Sequence, residues 1–262
     1  MRRTGLKVSK FKLALIYIWA PIANFLWYIY TIVMGSLSLL LWPIDKTGAM
    51  QHWCARWWCR LIAWTVGARI SVHGSENIRA DRNYIYMANH CSLLDTPALF
   101  AYLPHQFRIM AKKELFLIPF MGWHLYTAGN FPIERGDARK TALSLRKVID
   151  GLKAGKSLML FPEGTRSPDG RLQEFKLGAF KIALRSKLPI VPVAIRGTHK
   201  LLPKHSLAPR PGRVEVIIGN PIETAGNGEK PLGALVKETR DAIAANLDES
   251  QVPVAIISEG KQ

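Results

Sequence analysis

From about residue 68 onward, short apolar runs alternate with longer amphipathic stretches. The short runs, bounded by turn residues, predict strands at Arg69–Val72, Tyr84–Ala88, Arg108–Ala111, Asn130–Ile133, Leu158–Phe161, Ile190–Ile195 and Val214–Ile218. The longer ones predict helices at Leu93–Tyr102, Asp137–Lys153, Gly178–Ser186 and Lys230–Leu247. In the second of these, Leu145, Val148, Ile149 and Leu152 recur at helical spacing, while Arg139, Lys140, Arg146 and Lys147 are left polar. The alternation predicts an α/β fold with a mostly parallel central sheet flanked by helices. Pro132 confines its strand to an edge or an end, because proline has no N–H to give to a ladder. Gly226–Gly228 reads as a loop and the stretch after Val254 as a mobile tail.

The first 66 residues follow another pattern. Arg2, Arg3, Lys7, Lys10 and Lys12 occur with no acid, and Leu13 to Trp42 is then an unbroken uncharged run. As one helix this run would be about 45 Å long, more than the roughly 30 Å of a bilayer core. Pro21 and Gly35 offer places to bend. A cleaved signal peptide would have a shorter apolar stretch. A single span would carry the rest of the chain across the membrane. Basic residues flank both ends of the run, however, so their distribution does not distinguish the sides. A re-entrant or interfacial pair of helices keeps both flanks on one face, and the residues alone leave the span and the pair both open. Met50–Val66 mixes Trp53, Trp57, Trp58 and Trp64 with Arg56 and Arg60, a composition suited to the headgroup boundary; the competing reading is a buried Trp-rich core helix. The division expected is a membrane-anchoring helical motif over 1–66, an α/β domain over 67–250 and a tail over 251–262.

Hydrophobic residues make up 48% of the 262 positions, enough for a sizeable core and too many for a disordered chain. Lys+Arg number 36 against 19 Asp+Glu, and 36 − 19 = +17 points to an anionic partner: nucleic acid, a membrane surface or a phosphorylated substrate. The three cysteines, Cys54, Cys59 and Cys91, are too few and too odd in number for a disulfide framework. With His52 they do not make up a four-ligand metal set, and no metal is expected.

Four polar clusters stand just past strand-like runs. In Asn89-His90-Cys91-Ser92-Leu93-Leu94-Asp95, a histidine and an aspartate five apart suggest a general base and the carboxylate that orients it. Within one regular helix such residues would not face each other, so His90 must lie in the turn before the helix and Asp95 in its first turn, with Ser92 as N-cap. In Phe161-Pro162-Glu163-Gly164-Thr165-Arg166-Ser167, Gly164 allows close backbone approach and Arg166 supplies a planar fork for phosphate oxygens. Gly129–Arg135 places Arg135 at a strand end, and Lys112 and Lys113 follow a further strand. Open α/β sheets bind ligands at such ends.

These blocks, in this order and together with Ile190–Ile195 and Phe175–Phe180, resemble the glycerolipid acyltransferase family, and specifically its bacterial 1-acyl-sn-glycerol-3-phosphate acyltransferases. The resemblance spans roughly residues 68–220. It implies transfer of a fatty acyl group from a thioester, on coenzyme A or acyl carrier protein, to a glycerolipid hydroxyl, with no further cofactor. It implies that His90 deprotonates that hydroxyl and that Asp95 holds and charge-balances His90. Arg135 and Arg166, with Lys112, would grip the acceptor phosphate, and Glu163, Gly164 and Thr165 would belong to the acceptor site. A cytosolic donor and a membrane-resident acceptor place the enzyme at the bacterial inner membrane, facing the cytoplasm. A covalent acyl-enzyme on Ser92 is disfavoured, since adjacency to His90 does not give the needed geometry. Other lyso-lipids or glycerol 3-phosphate are alternative acceptors. A nucleic-acid- or lipid-binding protein without catalysis is the alternative of another class. Against nucleic acid, the aromatics concentrate in residues 17–64, where a lipid surface explains them better.

Overall fold

A computed structural model describes residues 10–134, 138–224 and 230–253. The loop at 226–228, the tail after Val254 and Arg135 lie outside the described residues. Two helices come first, α1 (Lys10–Leu41) and α2 (Ala49–Val66), then the alternation β1 (Ala68–His73), β2 (Ile85–Ala88), α3 (Asp95–Tyr102), β3 (Arg108–Lys112), α4 (Met121–Thr127), β4 (Phe131–Ile133), α5 (Ala138–Lys153), β5 (Leu158–Leu160), α6 (Leu177–Ser186), β6 (Ile190–Arg196), α7 (Thr198–Leu201), β7 (Gly212–Ile218) and α8 (Leu232–Ala244).

The strands form one sheet in the order β1-β7-β6-β2-β5-β3-β4. Every neighbouring pair is parallel except β6 with β7, where the short connection through α7 returns the chain directly alongside. β1 and β7 therefore run against the other five. Strand β4, with Pro132, is an edge, as the proline requires. The central strands are apolar on both faces because helices cover both. Tyr84, Tyr86, Val191, Val193 and Ile195 pack on the α2–α3 side, and Ile85, Met87, Leu158 and Ile190 on the α5–α6–α8 side. The parallel arrangement of β2, β3, β4, β5 and β6 brings their carboxyl ends to one sheet edge.

The uncharged run does not fold back on itself. It is one helix about 48 Å long with Pro21 inside, and Ala14–Leu41 is long and apolar enough to cross a membrane. The helix pair forms instead between α1 and α2, joined by a turn in which Arg108 donates to the Thr47 carbonyl at 2.7 Å. Polar stitches hold α1: Trp19 Nε1 donates to the Thr65 carbonyl, Trp58 Nε1 to Thr31 Oγ1, and Ser38 Oγ pairs with His124 Nδ1. Gly35 is no bend. A side chain there would meet Phe120 backbone and Cβ atoms at 2.8–3.0 Å, so the glycine permits close packing of α4's entry against α1. Tyr17, Ile18, Phe25, Tyr28 and Val33 remain exposed along the outer side of α1.

Helix α2 satisfies both readings of its sequence. One face, with Cys54, Ala55, Cys59, Ile62 and Val66, is buried against the domain. The other carries Trp53, Trp57 and Trp64 in edge-to-face pairs 6.2 and 6.1 Å apart, with Arg60 over the Trp57 ring. Burial raises the Cys54 thiol pKa to about 11, and Cys59 and Cys91 are buried as well.

Candidate active site

Strand β2 ends at Ala88, and Asn89 continues its pairing with side-chain atoms: its amide donates to the Ile195 carbonyl and accepts from the Ile195 N–H, at 2.9 and 2.7 Å. The chain then turns through His90–Leu94 before α3 begins at Asp95. Asp95 is fully buried and shapes this turn. Its Oδ2 accepts from His90 Nδ1 at 2.8 Å, from the Cys91 N–H at 2.7 Å and from the Ser92 N–H at 2.8 Å, while Oδ1 accepts from the Thr198 hydroxyl. A carboxylate that collects four donors this way offsets much of its desolvation. Ser92 is not the N-cap. Its hydroxyl accepts from the Leu94 N–H one turn early and donates to the Leu202 carbonyl, so Ser92 pins the turn to the segment after α7 and is unavailable as a nucleophile.

Since a carboxylate only accepts, the Asp95 contact places the ring proton of neutral His90 on Nδ1 and leaves the lone pair on Nε2. Nε2 has no protein partner among the described residues. The ring stacks on Phe161 at 3.8 Å with 9° between planes, which fixes its orientation. His90 opens on a cavity of about 930 Å³. Beneath the site the cavity is apolar, reaching Trp27, Met34 and Gly35 of α1, Cys59 of α2, and Met121 and Leu125 of α4.

The loop after β5 supplies the other half. Glu163 does not point at the cavity as a ligand. Oε1 accepts from the His90 N–H at 2.7 Å, and Oε2 from the Gln173 N–H and side-chain amide at 3.2 and 2.8 Å. Burial raises its pKa to about 7 despite these hydrogen bonds, which favour the ion. Ser167 N–H donates to the His90 carbonyl at 2.7 Å, so the backbone of the histidine is held from both sides. Gly164 adopts φ +74°, and a Cβ there would meet the Lys176 stem at 2.9–3.0 Å. Thr165, Arg166 and Lys176 line the cavity beside His90, and Lys204 holds the loop by donating to the Arg166 carbonyl at 2.8 Å. Lys112, at the end of β3, lines the same cavity and lies 3.6 Å from Glu114. Lys113 instead pairs with Glu134 at 2.8 Å. The structure thus brings together His90, Asp95, Lys112, Glu163, Gly164, Thr165 and Arg166. The strand-end clusters do not point to Thr198 or Gln173, while Phe161 and Lys176 stand within the blocks Phe161–Ser167 and Phe175–Phe180 with no role assigned to them from the sequence.

A histidine with one nitrogen held by a buried carboxylate and the other turned to a long apolar cavity, beside cations, defines a class. It is a form of group-transfer site in which a general base can activate a hydroxyl on a substrate with an apolar tail. The comparisons agree. The acyltransferase family pattern matches residues 69–196. A chloroplastic 1-acyl-sn-glycerol-3-phosphate acyltransferase of Arabidopsis thaliana is 36% identical over 222 residues, covering 84% of this chain and 60% of that one, so the chain spans under two thirds of that relative's length. The coconut (Cocos nucifera) 1-acyl-sn-glycerol-3-phosphate acyltransferase is 35% identical over 239 residues, 88% of this chain and 74% of its own. The crystal structure of the 1-acyl-sn-glycerophosphate acyltransferase PlsC from Thermotoga maritima superposes with a TM-score of 0.76 at 28% identity, covering 88% and 93% of the two chains. The chain belongs to the acyltransferase family.

Proposed function

We propose that the protein transfers a fatty acyl group from an acyl thioester to the 2-hydroxyl of 1-acyl-sn-glycerol 3-phosphate, giving phosphatidic acid. The observation that carries this reading is the Asp95–His90 pair opening on an apolar cavity rimmed by Arg166, Lys112 and Lys176. His90 Nε2 takes the hydroxyl proton as the oxygen attacks the thioester carbonyl, and Asp95 stabilises the imidazolium. Collapse of the tetrahedral intermediate breaks the C–S bond, and the imidazolium returns the proton to the leaving thiolate. Arg166 and Lys112 hold the acceptor phosphate, and that remote grip orients the hydroxyl and lowers the barrier as well as raising affinity. Arg135 is assigned to the same phosphate on the resemblance of its block.

The donor is acyl-coenzyme A or acyl-acyl carrier protein, and no other cofactor enters the reaction. The exposed apolar side of α1 and the Trp stripe of α2 support docking on an anionic bilayer, as a monotopic protein of the bacterial inner membrane with its site on the cytoplasmic side. Those aromatics pair edge to face with one another on the outer face of α2, beside the exposed apolar side of α1, which suits a lipid surface better than base stacking.

Thiol release from acyl-coenzyme A by detergent-purified protein tests the reading, with and without 1-acyl-glycerol 3-phosphate and with His90→Ala as control. Acceptor-dependent release that the variant loses is the expected result. Full activity in His90→Ala overturns the general-base role, and release only with glycerol 3-phosphate or another lyso-lipid reassigns the acceptor.

A further inference from the structure

The connection between β3 and β4 is neither a plain loop nor part of the sheet. It runs through a 3-10 segment (Lys113–Leu117) into α4, and it is held in a costly conformation. Phe120 has φ +63° and ψ −55°, and Met121 N–H donates to the Pro119 carbonyl at 2.7 Å. That is a γ-turn on a bulky residue with positive φ, a conformation that persists only where its surroundings enforce it. The enforcement is visible. Phe120 sits on Gly35 of α1, and Phe116 packs against Gly122, where a Cβ would approach its carbonyl oxygen closely.

This strained segment presents two unlike surfaces. Inward, Leu115, Met121, His124 and Leu125 line the cavity that reaches His90. Outward, Leu117 is 80% exposed and Tyr126 75%, with Ile118 and Trp123 also exposed. These four large apolar side chains stand exposed on one short segment, and the Trp123 ring packs tilted against Phe120 at 5.1 Å, so the strained turn fixes the outward face. Next to them stands α1, which α4 packs against and whose outer side is also apolar and exposed. Lys112, the cation assigned to the acceptor phosphate, immediately precedes the segment.

We infer that residues 115–126 are a second membrane-inserting element, continuous with α1, whose Leu117, Ile118, Trp123 and Tyr126 enter the outer part of the bilayer and form one lip of the entrance through which the acceptor passes from lipid to the cavity. The occupant of this surface is the membrane. The apolar face continues that of α1, its aromatics have the amphipathic shape favoured at the interface, and the adjoining cation lies where a lipid phosphate would stand. A lysolipid entering past this segment moves from bilayer to the cavity at His90 without exposing its chain to water. The inference rests on the reading of α1 as the anchor.

All three native cysteines are buried, so a cysteine introduced at Tyr126 takes a thiol-reactive, environment-sensitive fluorophore selectively. The labelled full-length protein is mixed with vesicles of phosphatidylglycerol and phosphatidylcholine, with labels at Tyr28 of α1 and Glu238 of α8 as references. Expected is a blue shift and quenching by brominated acyl chains for Tyr126→Cys and Tyr28→Cys, and neither for Glu238→Cys. A Tyr126 label that stays in water while the Tyr28 label enters lipid overturns the inference and leaves the anchor standing. If neither enters, the anchor reading fails too. A Tyr126 label shielded by acyl carrier protein and not by vesicles makes the surface a protein dock and also overturns it. The double variant Leu117→Asp, Ile118→Asp should raise the lipid concentration for half-binding about tenfold or more. It should raise KM for vesicle-borne acceptor while sparing kcat on a short-chain, water-soluble one. Unchanged binding and KM refute the role.

Discussion

Replacing Asp95 by Asn separates two tasks that a triad-type carboxylate performs. In general such a carboxylate fixes the histidine tautomer and stabilises its charged form, and an amide substitution upsets both when the amide is free to turn its N–H toward the ring. Here it is not free. Three donors, His90 Nδ1 and the N–H groups of Cys91 and Ser92, converge on one oxygen, while the other faces a Thr198 hydroxyl that can reverse and accept. The amide must keep its oxygen toward His90 and its nitrogen toward Thr198, so the tautomer survives and only the charge is lost. At 2.8 Å and an effective dielectric of about 20, full ion pairing is worth about 6 kcal/mol. A transition state with the proton half transferred feels about half of that, so kcat should fall by roughly two orders of magnitude at unchanged KM. Steady-state thiol release, read against thermal unfolding in the same detergent, checks this. A loss under threefold would show that Asp95 does not stabilise the imidazolium. A loss beyond about 10⁴-fold with the fold intact would match the wrong-tautomer case and refute the claim that the turn's donors dictate the amide's orientation.

Gly164→Ala forces a Cβ into the Lys176 stem at a φ of +74°, and should lower stability by about 1–2 kcal/mol and kcat about tenfold; a Tm drop with normal kinetics would remove Lys176 from the acceptor site. Glu163, at about 7 in the folded state against 4.5 as its ordinary value, binds its proton more tightly when folded, so stability should fall by about 3 kcal/mol as pH rises through that window. Glu163→Gln should flatten that part of the stability profile measured by denaturant unfolding in detergent. His52 behaves with the opposite sign: burial and then Arg108 lower it from 6.5 to about 3, so the folded state resists its protonation and stability is lost as pH falls below about 6.5. His52→Phe, which keeps the ring packing against Phe100 and Phe107, should shift acid unfolding to lower pH in a near-ultraviolet circular dichroism titration.

The sheet was legible because its central strands β2, β5 and β6 are buried on both faces and read as short continuous apolar runs, while β1 and β7 alternate less and more exposed positions between turn residues; all seven strands fall where those patterns predict. The antiparallel β6–β7 junction was not, since no residue pattern distinguishes a crossover from a short return. The apolar stretch Phe116–Gly122 hides α4 for a similar reason: Pro119 and Gly122 read as breakers, whereas the segment exists through contacts with Gly35, eighty-odd residues before, that no local window contains. Pro21 misleads in the other direction. It forfeits one hydrogen bond in a helix held over its length by Thr65, Trp58 and His124, too little to end it.

The site divides along the same line. The residues proposed to meet substrate are polar, and standing at the ends of apolar strands they attract notice; parallel strands guarantee that such ends converge. Residues that position them need only be good partners: Thr198 for Asp95, Gln173 for Glu163, Phe161 for the imidazole plane. Glu163 shows why the distinction matters. By charge and position it reads as a ligand of the acceptor, yet its carboxylate faces inward and fastens the His90 backbone to the Gln173 segment. A carboxylate aimed at a phosphate site would repel the substrate. Turned inward and raised toward neutrality, it fastens the loop to the turn that carries His90 without adding a full negative charge beside Arg166 and Lys112, the cations proposed to hold the acceptor phosphate.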